Sequence, residues 1–486
     1  MRKPLLMLTA AALIATPALA QLSSLRQSDV AEASKQHASI VAEFGGAETG
    51  ARANYVEAIG RRVAAQSGTA NAGQIYHFTT LNSPVENAFS VPGGYVYITR
   101  QLMGLMGDEA ELAFVLGHET GHVAADHSRT RQKASTRNSI LGVLGAIVGG
   151  VVGNNPFGSL ISQGLQRYGQ LATLSFSRQQ EYEADRLGIR YLAQAGYDPT
   201  AGATMLDALT RSAALETRVQ GKTGRSTPEW AMTHPLSQNR SVQALQLARQ
   251  FARPGAAMRN RDAFLAQLNG VKVDDDPAQG IVDGTSFTHP DLRLQFVVPV
   301  GFQMSNSADA VTIEGSSGKA QFSGGRFDGN MQAYVGQVLQ KLTGDQTQVQ
   351  MGPLQQTSVN VIPAVYTTGR AQTDGGVVDV SIFAYQWSAN TAYHFVMLTQ
   401  GGQGIGPFQS MVGSLRRITP TEAAAIRPRI LQITTVRSGD TPQSLASRMA
   451  YRDYQLDRFL SLNNLQANSR LVPRSKVKLV VYGTRR

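Results

Sequence analysis

Apolar residues recur at helical spacing over residues 56–63, 109–125, 178–195 and 241–251, so the first half of the chain is expected to be mainly helical. One period-two run, "GGYVYITR" (residues 93–100), interrupts these helices and reads as a strand. From residue 285 the period changes. "LRLQFVVPVGF" places Leu292, Leu294, Phe296 and Val298 at every second position, and "VVDVSIFAYQW" and "AYHFVMLTQ" also read as strands. "MQAYVGQVLQKL" returns to helical spacing. "VDDDPAQG" (residues 273–280) and "PTEAAAIRPRI" (residues 420–430) fit neither period and read as linkers. The expected class is therefore multidomain α+β. Its parts are a helical unit over 21–270, a linker over 271–284, an α+β unit of unknown role over 285–419, a linker over 420–430 and a small module over 431–486.

The apolar run "ILGVLGAIVGGVVG" (residues 140–153) is shorter than the ~18 residues a bilayer span needs. It reads as a Gly-packed helical hairpin inside the first unit. The alternative is a segment that makes peripheral membrane contact or plugs the active site. The opening "MRKPLLMLTAAALIATPALA" has a basic start, an apolar stretch and the ending Ala18-Leu19-Ala20, the pattern of a signal peptide cleaved before Gln21. A periplasmic location is therefore expected. Cysteine is absent, which excludes lipidation and disulfides and leaves histidine and carboxylates as the side chains for any metal site. Of the net charge of +11, the tail from Gln432 contributes ten Lys/Arg against three Asp, 10 − 3 = +7. An exported basic tail points to anionic envelope polymers and away from nucleic acid.

The helix over 109–125 carries the chemistry. It begins at a capping-box-like pair, Asp108 and Glu111, with acidic side chains at the positive end of the helix dipole. In "FVLGHETGHVAADH" (residues 114–127), His118 and His122 stand at i and i+4 and share one face, so two imidazoles can bind one tetrahedral metal. Glu119 lies about 100° round the helix, off the ligand row but near enough to act on a water. Two ligands and a general base make the H-E-x-x-H arrangement. Gly117 and Gly121 each cost roughly 1 kcal/mol in a helix interior, so something approaches closely there, a ligand or a second helix.

A catalytic zinc needs a third protein ligand. The local H-x-x-G-x-x-H continuation fails, because Ala125 and Ser128 hold its last two positions. "SRQQEYEADRLG" (residues 177–188) offers Glu181 and Asp185 at i and i+4 on a second helix. Glu181 would complete a His-His-Glu site, and Asp185 would accept the N–H of a ligating histidine. The alternative for this pair is a solvated face with Arg178 and Arg186 as partners. Glu183 is expected on another face, in solvent, and His127 as a structural or surface histidine.

"HETGH" followed by "EYEAD" resembles the M-forty-eight family of zinc metallopeptidases. "NAFSVPGGYVYIT" (residues 87–99) is similar to the family's strand near the active site, and "EWAMTHPLSQNR" (residues 229–240) to its His-Pro segment. The resemblance covers about residues 38–247 and is to soluble periplasmic members, without the membrane spans or tetratricopeptide domain that others carry. It implies a mainly helical zincin of the gluzincin type with a small sheet. It further implies His118, His122 and Glu181 as zinc ligands, Glu119 as base and Asp185 as a supporting or proton-shuttling carboxylate. His234 would contact the metal in a closed state or stabilise the oxyanion. Alternation over residues 95–99 suits an edge strand that pairs with an extended substrate, or a plain core strand.

The tail, "TTVRSGDTPQSLASRM", "LDRFLSLNNLQ" and "RLVPRSKVKLVVY", resembles a βααβ LysM module, with Pro473-Arg474 where the usual turn is Pro-Gly. That resemblance implies binding to N-acetylglucosamine glycans, usually peptidoglycan. The alternative is a basic module that only docks on the protease. Together these readings predict an exported zinc metalloendopeptidase that cuts misfolded envelope proteins and is anchored to the cell wall. Two rivals are a peptidase of peptidoglycan cross-links and a chaperone-like binding protein with a latent site.

Overall fold

The computed structural model describes residues 24–128, 176–219, 234, 239–252, 254, 257–343, 349–373 and 376–484. The signal-peptide reading and the apolar run at 140–153 lie outside the described residues. No helix among the described residues is long and apolar enough to cross a membrane.

The four windows of helical spacing become α2 (Ala51–Ala64), α5 (Glu109–Ala124), α6 (Arg178–Gln194) and α8 (Arg240–Phe251). Around them lie α1 (Gln27–Glu43), the short α3 (Ala72–Ile75) and α4 (Arg100–Leu105), α7 (Ala201–Val219) and α9 (Arg261–Leu268). On α5, every residue from Glu109 to His122 is buried. A helix enclosed on all sides needs no polar face, and this one runs through the core of the unit. Its first turn is held by the Asp108 side chain, which accepts from the Glu111 N–H at 3.1 Å. A full capping box, Ser177 with Gln180, starts α6.

The small sheet has the order β1 (His77–Leu81), β3 (Tyr95–Thr99), β2 (Ala88–Val91), with β1–β3 parallel and β2–β3 antiparallel. The predicted strand, β3, is therefore central, and the edge-strand reading of residues 95–99 is corrected. The edge nearer α5 is β2, which has no partner on its far side among the described residues. The β2–β3 turn depends on Gly93: φ is +98°, and a Cβ there would lie 2.5 Å from the Asp29 carbonyl oxygen.

Residues 271–284, expected as a linker, are instead bound into the fold. They carry β4 (Lys272–Val273) and β5 (Ile281–Asp283). The buried Arg100 donates to the carbonyls of Lys272 and Asp274 at 2.9 and 2.7 Å, and the Asp274 carboxylate accepts from Arg429 and Tyr451.

The middle unit contains a four-stranded sheet, with β6 (Ser286–His289) and β7 (Leu294–Val297) between β5 and a strand near residue 416. It packs on an eight-stranded sheet. That sheet is formed by β8 (Gln303–Asn306), β9 (Ala310–Gly315), β10 (Gly318–Arg326), β11 (Gln350–Met351), β12 (Gln355–Val359), β13 (Ile362–Thr373), β14 (Gly376–Gln386) and β15 (Thr391–Gln400). One core, with Phe287, Phe296 and Phe395, fills the space between the sheets. A second, with Val335, Val338 and Val380, lies under α10 (Met331–Thr343) on the other face. Leu294, Phe296 and Val298 point inward as the alternation predicts, whereas Leu292 sits in the preceding turn, 40% exposed.

The last module follows β16 (Arg416–Arg417), α11 (Gln409–Ser414) and α12 (Pro420–Ala425). It runs β17 (Arg429–Thr435), α13 (Pro442–Ala446), α14 (Gln455–Leu462), β18 (Lys476–Tyr482), with β17 and β18 antiparallel and β4 added beside β17. It does not hang free. Leu431, Leu445, Phe459 and Leu479 share one core with Leu102, Leu105 and Phe264 of the helical unit. Lys478, buried, donates to the carbonyls of Gly104, Leu105 and Met106 at 2.8, 3.0 and 2.7 Å. Burial pushes its ammonium down to about 7, against the pull of Glu111.

The close approach signalled by Gly117 and Gly121 is that of a helix. A Cβ on Gly117 would lie 3.4 Å from Gly188 Cα on α6, and one on Gly188 would lie 3.0 Å from the His118 nitrogen. The neighbouring atoms are backbone and cannot turn aside. Gly188→Val is therefore expected to separate α5 from α6, to destabilise the protein by about 1–3 kcal/mol, and to lower its metal retention. Thermal unfolding with and without added zinc checks this; an unchanged midpoint in both would show that the helices have room to spare.

Candidate metal centre

The α5–α6 contact brings the predicted residues together. His118, His122, Glu181 and His234 are all buried, and one ligand atom from each lies within 4.8 Å of the others, a group that could hold a metal ion. His118 Nε2 is 3.0 Å from His122 Nε2, and Glu181 Oε1 is 3.4 Å from His122 Nε2. His234 Nδ1 reaches Glu181 Oε1 at 2.9 Å and His118 Nε2 at 3.3 Å. Three imidazoles and a carboxylate converging on one point, with no cysteine, make a donor set that suits zinc.

Glu119, also buried, is placed by β2: Ser90 Oγ donates to its Oε2 at 3.0 Å and to its carbonyl at 3.2 Å. His234 Nε2 lies 3.5 Å from the other carboxylate oxygen of Glu119. The Glu119 carboxylate thus sits between β2, an edge strand among the described residues, and the donor cluster.

Asp185 stands where the i,i+4 argument puts it, with Oδ1 3.0 Å from His118 Nδ1. Its partner is neither Arg178 nor Arg186. Arg240, at the start of α8, grips both Asp185 oxygens at 2.7 and 2.8 Å and reaches Glu181 Oε2 at 2.8 Å. Burial alone would raise Glu181. The charges of His234 and Arg240, with hydrogen bonds from His122 and His234, hold it well below the usual carboxylate range. Burial likewise pushes Asp185 up, but the Arg240 charge and hydrogen bonds from His118 and Arg240 leave it lowered. Burial pushes His122 far down, so it is neutral, the form in which an imidazole binds metal. His118 feels the same burial, yet the carboxylates of Asp185, Glu181 and Glu119 raise it.

His127 is not a surface residue: it is 4% exposed, with Nδ1 3.0 Å from His122 Nδ1. Glu183, expected to be solvated, has a half-exposed side chain that still reaches His127 Nε2 at 3.3 Å. The Phe176 ring stacks on His122 with centroids 3.8 Å apart. Sequence reasoning missed Arg240, Ser90 and Phe176. For Arg240 and Ser90 a signal existed, since they lie in the quoted "HPLSQNR" and "NAFSVPGGYVYIT" segments; Phe176 offered none.

Residues 50–248 match the model of Peptidase family M48, and residues 434–479 match the LysM domain. Among curated proteins, the chain is 31% identical over 216 residues to the beta-barrel assembly-enhancing protease of Escherichia coli O157:H7, covering 44% of this chain and 42% of that protein. It is also 31% identical over 186 residues to the mitochondrial metalloendopeptidase OMA1 of Schizosaccharomyces pombe, covering 38% of this chain and 50% of that protein. The chain thus spans half or less of the length of these relatives. A crystal structure from Bacteroides thetaiotaomicron aligns with 42% of this chain and 88% of its own at 11% identity and a TM-score of 0.24, too low to bear on the fold. All four quoted motifs around the donor cluster fall inside the matched span, and the chain carries a Peptidase family M48 domain followed, after the strand-rich unit, by a LysM domain.

Proposed function

We propose that the protein is a periplasmic zinc metalloendopeptidase that hydrolyses misfolded envelope proteins and holds peptidoglycan through its LysM domain. The observation that carries the reading is the convergence of His118, His122 and Glu181 on one point, with Glu119 alongside and hydrogen-bonded to the edge strand. When bound there, zinc supplies Lewis acidity that polarises a carbonyl and acidifies a water. The protein's own groups do the rest. An extended substrate adds to the outer edge of β2, which lays its backbone across Glu119. Glu119 takes the proton of the attacking water and delivers it to the leaving amine. Asp185, fixed by Arg240, holds His118 in the tautomer that points Nε2 at the cluster.

His234 supports a second reading, a site that is latent until opened. It adds a fourth donor to the cluster and also lies 3.5 Å from Glu119, so with a metal bound it would occupy the position that a catalytic site keeps open. Its displacement would be the activating step.

The test is metal analysis with a protease assay. Wild type should retain about one zinc per chain and cut casein, with loss on chelation and recovery on zinc addition. Glu181→Ala should lose zinc affinity by more than the roughly 10–100-fold typical of a supporting residue, and should lose activity with it. A Glu181→Ala protein with full metal and full activity would remove Glu181 from the site. Zymography on peptidoglycan against casein separates the envelope protease from a cross-link peptidase.

A further inference from the structure

Behind His122, on the side away from the donor cluster, a second line of polar groups leads to the surface. His122 Nδ1 meets His127 Nδ1 at 3.0 Å, and His127 Nε2 meets Glu183 Oε2 at 3.3 Å. His127 is buried, while the Glu183 side chain is 47% exposed. The chain is turned to make this contact. Helix α5 ends at Ala124, and Asp126 takes a left-handed φ of 54°, which returns His127 beneath His122. Arg26 holds the Asp126 carboxylate at 3.1 Å, and Gln180 donates to the His127 carbonyl at 3.2 Å. A non-glycine residue in that conformation is strained, and here the strain places one imidazole against another.

Binding a metal through Nε2, which faces His118 and Glu181, requires a lone pair there, so in the metal-bound form the His122 proton sits on Nδ1. That N–H donates to His127 Nδ1. The His127 proton is then on Nε2 and is donated to Glu183.

We propose that His127, oriented by Glu183, is a positioning residue that sets the tautomer and ring plane of His122 for metal binding. The inference rests on the metal-site reading above. The two ligand histidines are then supported by different devices: His118 by a carboxylate clamped to Arg240, His122 by a neutral imidazole backed by a carboxylate at the surface. A neutral support orients the ring without adding a further negative charge to a cluster that already holds Glu119, Glu181 and Asp185.

The test measures zinc affinity of the full chain by competition with a chromogenic chelator, beside thermal unfolding of the metal-free protein. His127→Leu should weaken zinc binding by roughly 10–100-fold. His127→Gln, whose carbonyl can still accept from His122 Nδ1, should recover most of that loss. Glu183→Ala should weaken binding by a few-fold, with metal-free unfolding unchanged. Equal affinity in wild type and His127→Leu overturns the proposal, as does a glutamine variant no better than leucine, since packing alone would then explain the residue. If the leucine variant does not fold, Glu183→Ala decides: unchanged affinity there overturns it. A wild-type protein that binds no zinc would instead remove the metal-site reading itself.

Discussion

Glu119→Gln is expected to keep its zinc and its fold while losing roughly a hundred- to ten-thousand-fold in kcat/KM on an unstructured peptide substrate. The substitution is nearly isosteric on a buried helix, so α5 and its contact with α6 should be undisturbed. The glutamine carbonyl can still accept from Ser90 Oγ, which preserves the tie to β2. What the amide cannot do is take a proton. Zinc content at wild-type level with collapsed turnover would assign Glu119 to proton transfer. A variant with undiminished turnover would end the mechanism, and one that lost both metal and activity would place Glu119 among the ligands. The same protein tests the latent-site reading, because a binding function would survive the substitution.

The part of this site that could be read in the sequence is the part fixed by one helix. His118, Glu119 and His122 relate to one another through helical periodicity alone, and so do Glu181 and Asp185. The link between the two helices was also foreshadowed. Glycines at 117 and 121 announce a close neighbour, and a third glycine, Gly188, supplies the matching surface on α6. Periodicity says nothing, however, about which side chains complete the charge balance. Arg240 is one of 45 Lys/Arg residues; it ends the quoted His-Pro segment, but that it is buried between two carboxylates is visible only in the fold.

Strand order is equally non-local. Alternation in residues 95–99 fits a central strand as well as an edge, and the sheet puts β1 and β2 on either side of it. The acidic, Pro-broken stretch at 273–280 has the composition of a solvated linker. Asp274 nonetheless serves Arg100, Arg429 and Tyr451, all three of them 155 or more positions away. Lys478 misleads in the same way. In "KVKLVVY" it looks like the wet face of a strand, yet its ammonium caps the carbonyl end of α4. The LysM module is therefore built onto the M48 domain, and composition alone carries no sign of it.

Arg240→Met is expected to be among the most destabilising single changes in the domain. Its guanidinium is 2% exposed and holds Asp185 by two hydrogen bonds and Glu181 by a third. Breaking such a buried pair by removing one partner typically costs about 3–5 kcal/mol, because the remaining carboxylates stay desolvated without their counter-charge. Arg240→Lys should recover little, since a single ammonium cannot reproduce the fork that spans two carboxylates. Urea unfolding of the metal-free proteins measures the loss, and its pH dependence carries the diagnosis. In wild type, Asp185 and Glu181 have folded pKa values below their ordinary ones of 3.8 and 4.5, so their contribution is present above those ordinary values. It is lost only as the pH falls through the lowered folded values. In the methionine variant, burial acts without the arginine to oppose it. The carboxyls then protonate at higher pH, and the penalty shrinks on acidification. The gap between the two proteins should be widest at neutral pH and close toward the acid end. A gap that is the same at pH 4 and pH 7 would mean that Arg240 acts by packing, and that the carboxylates of the metal centre are kept ionised by the histidines alone.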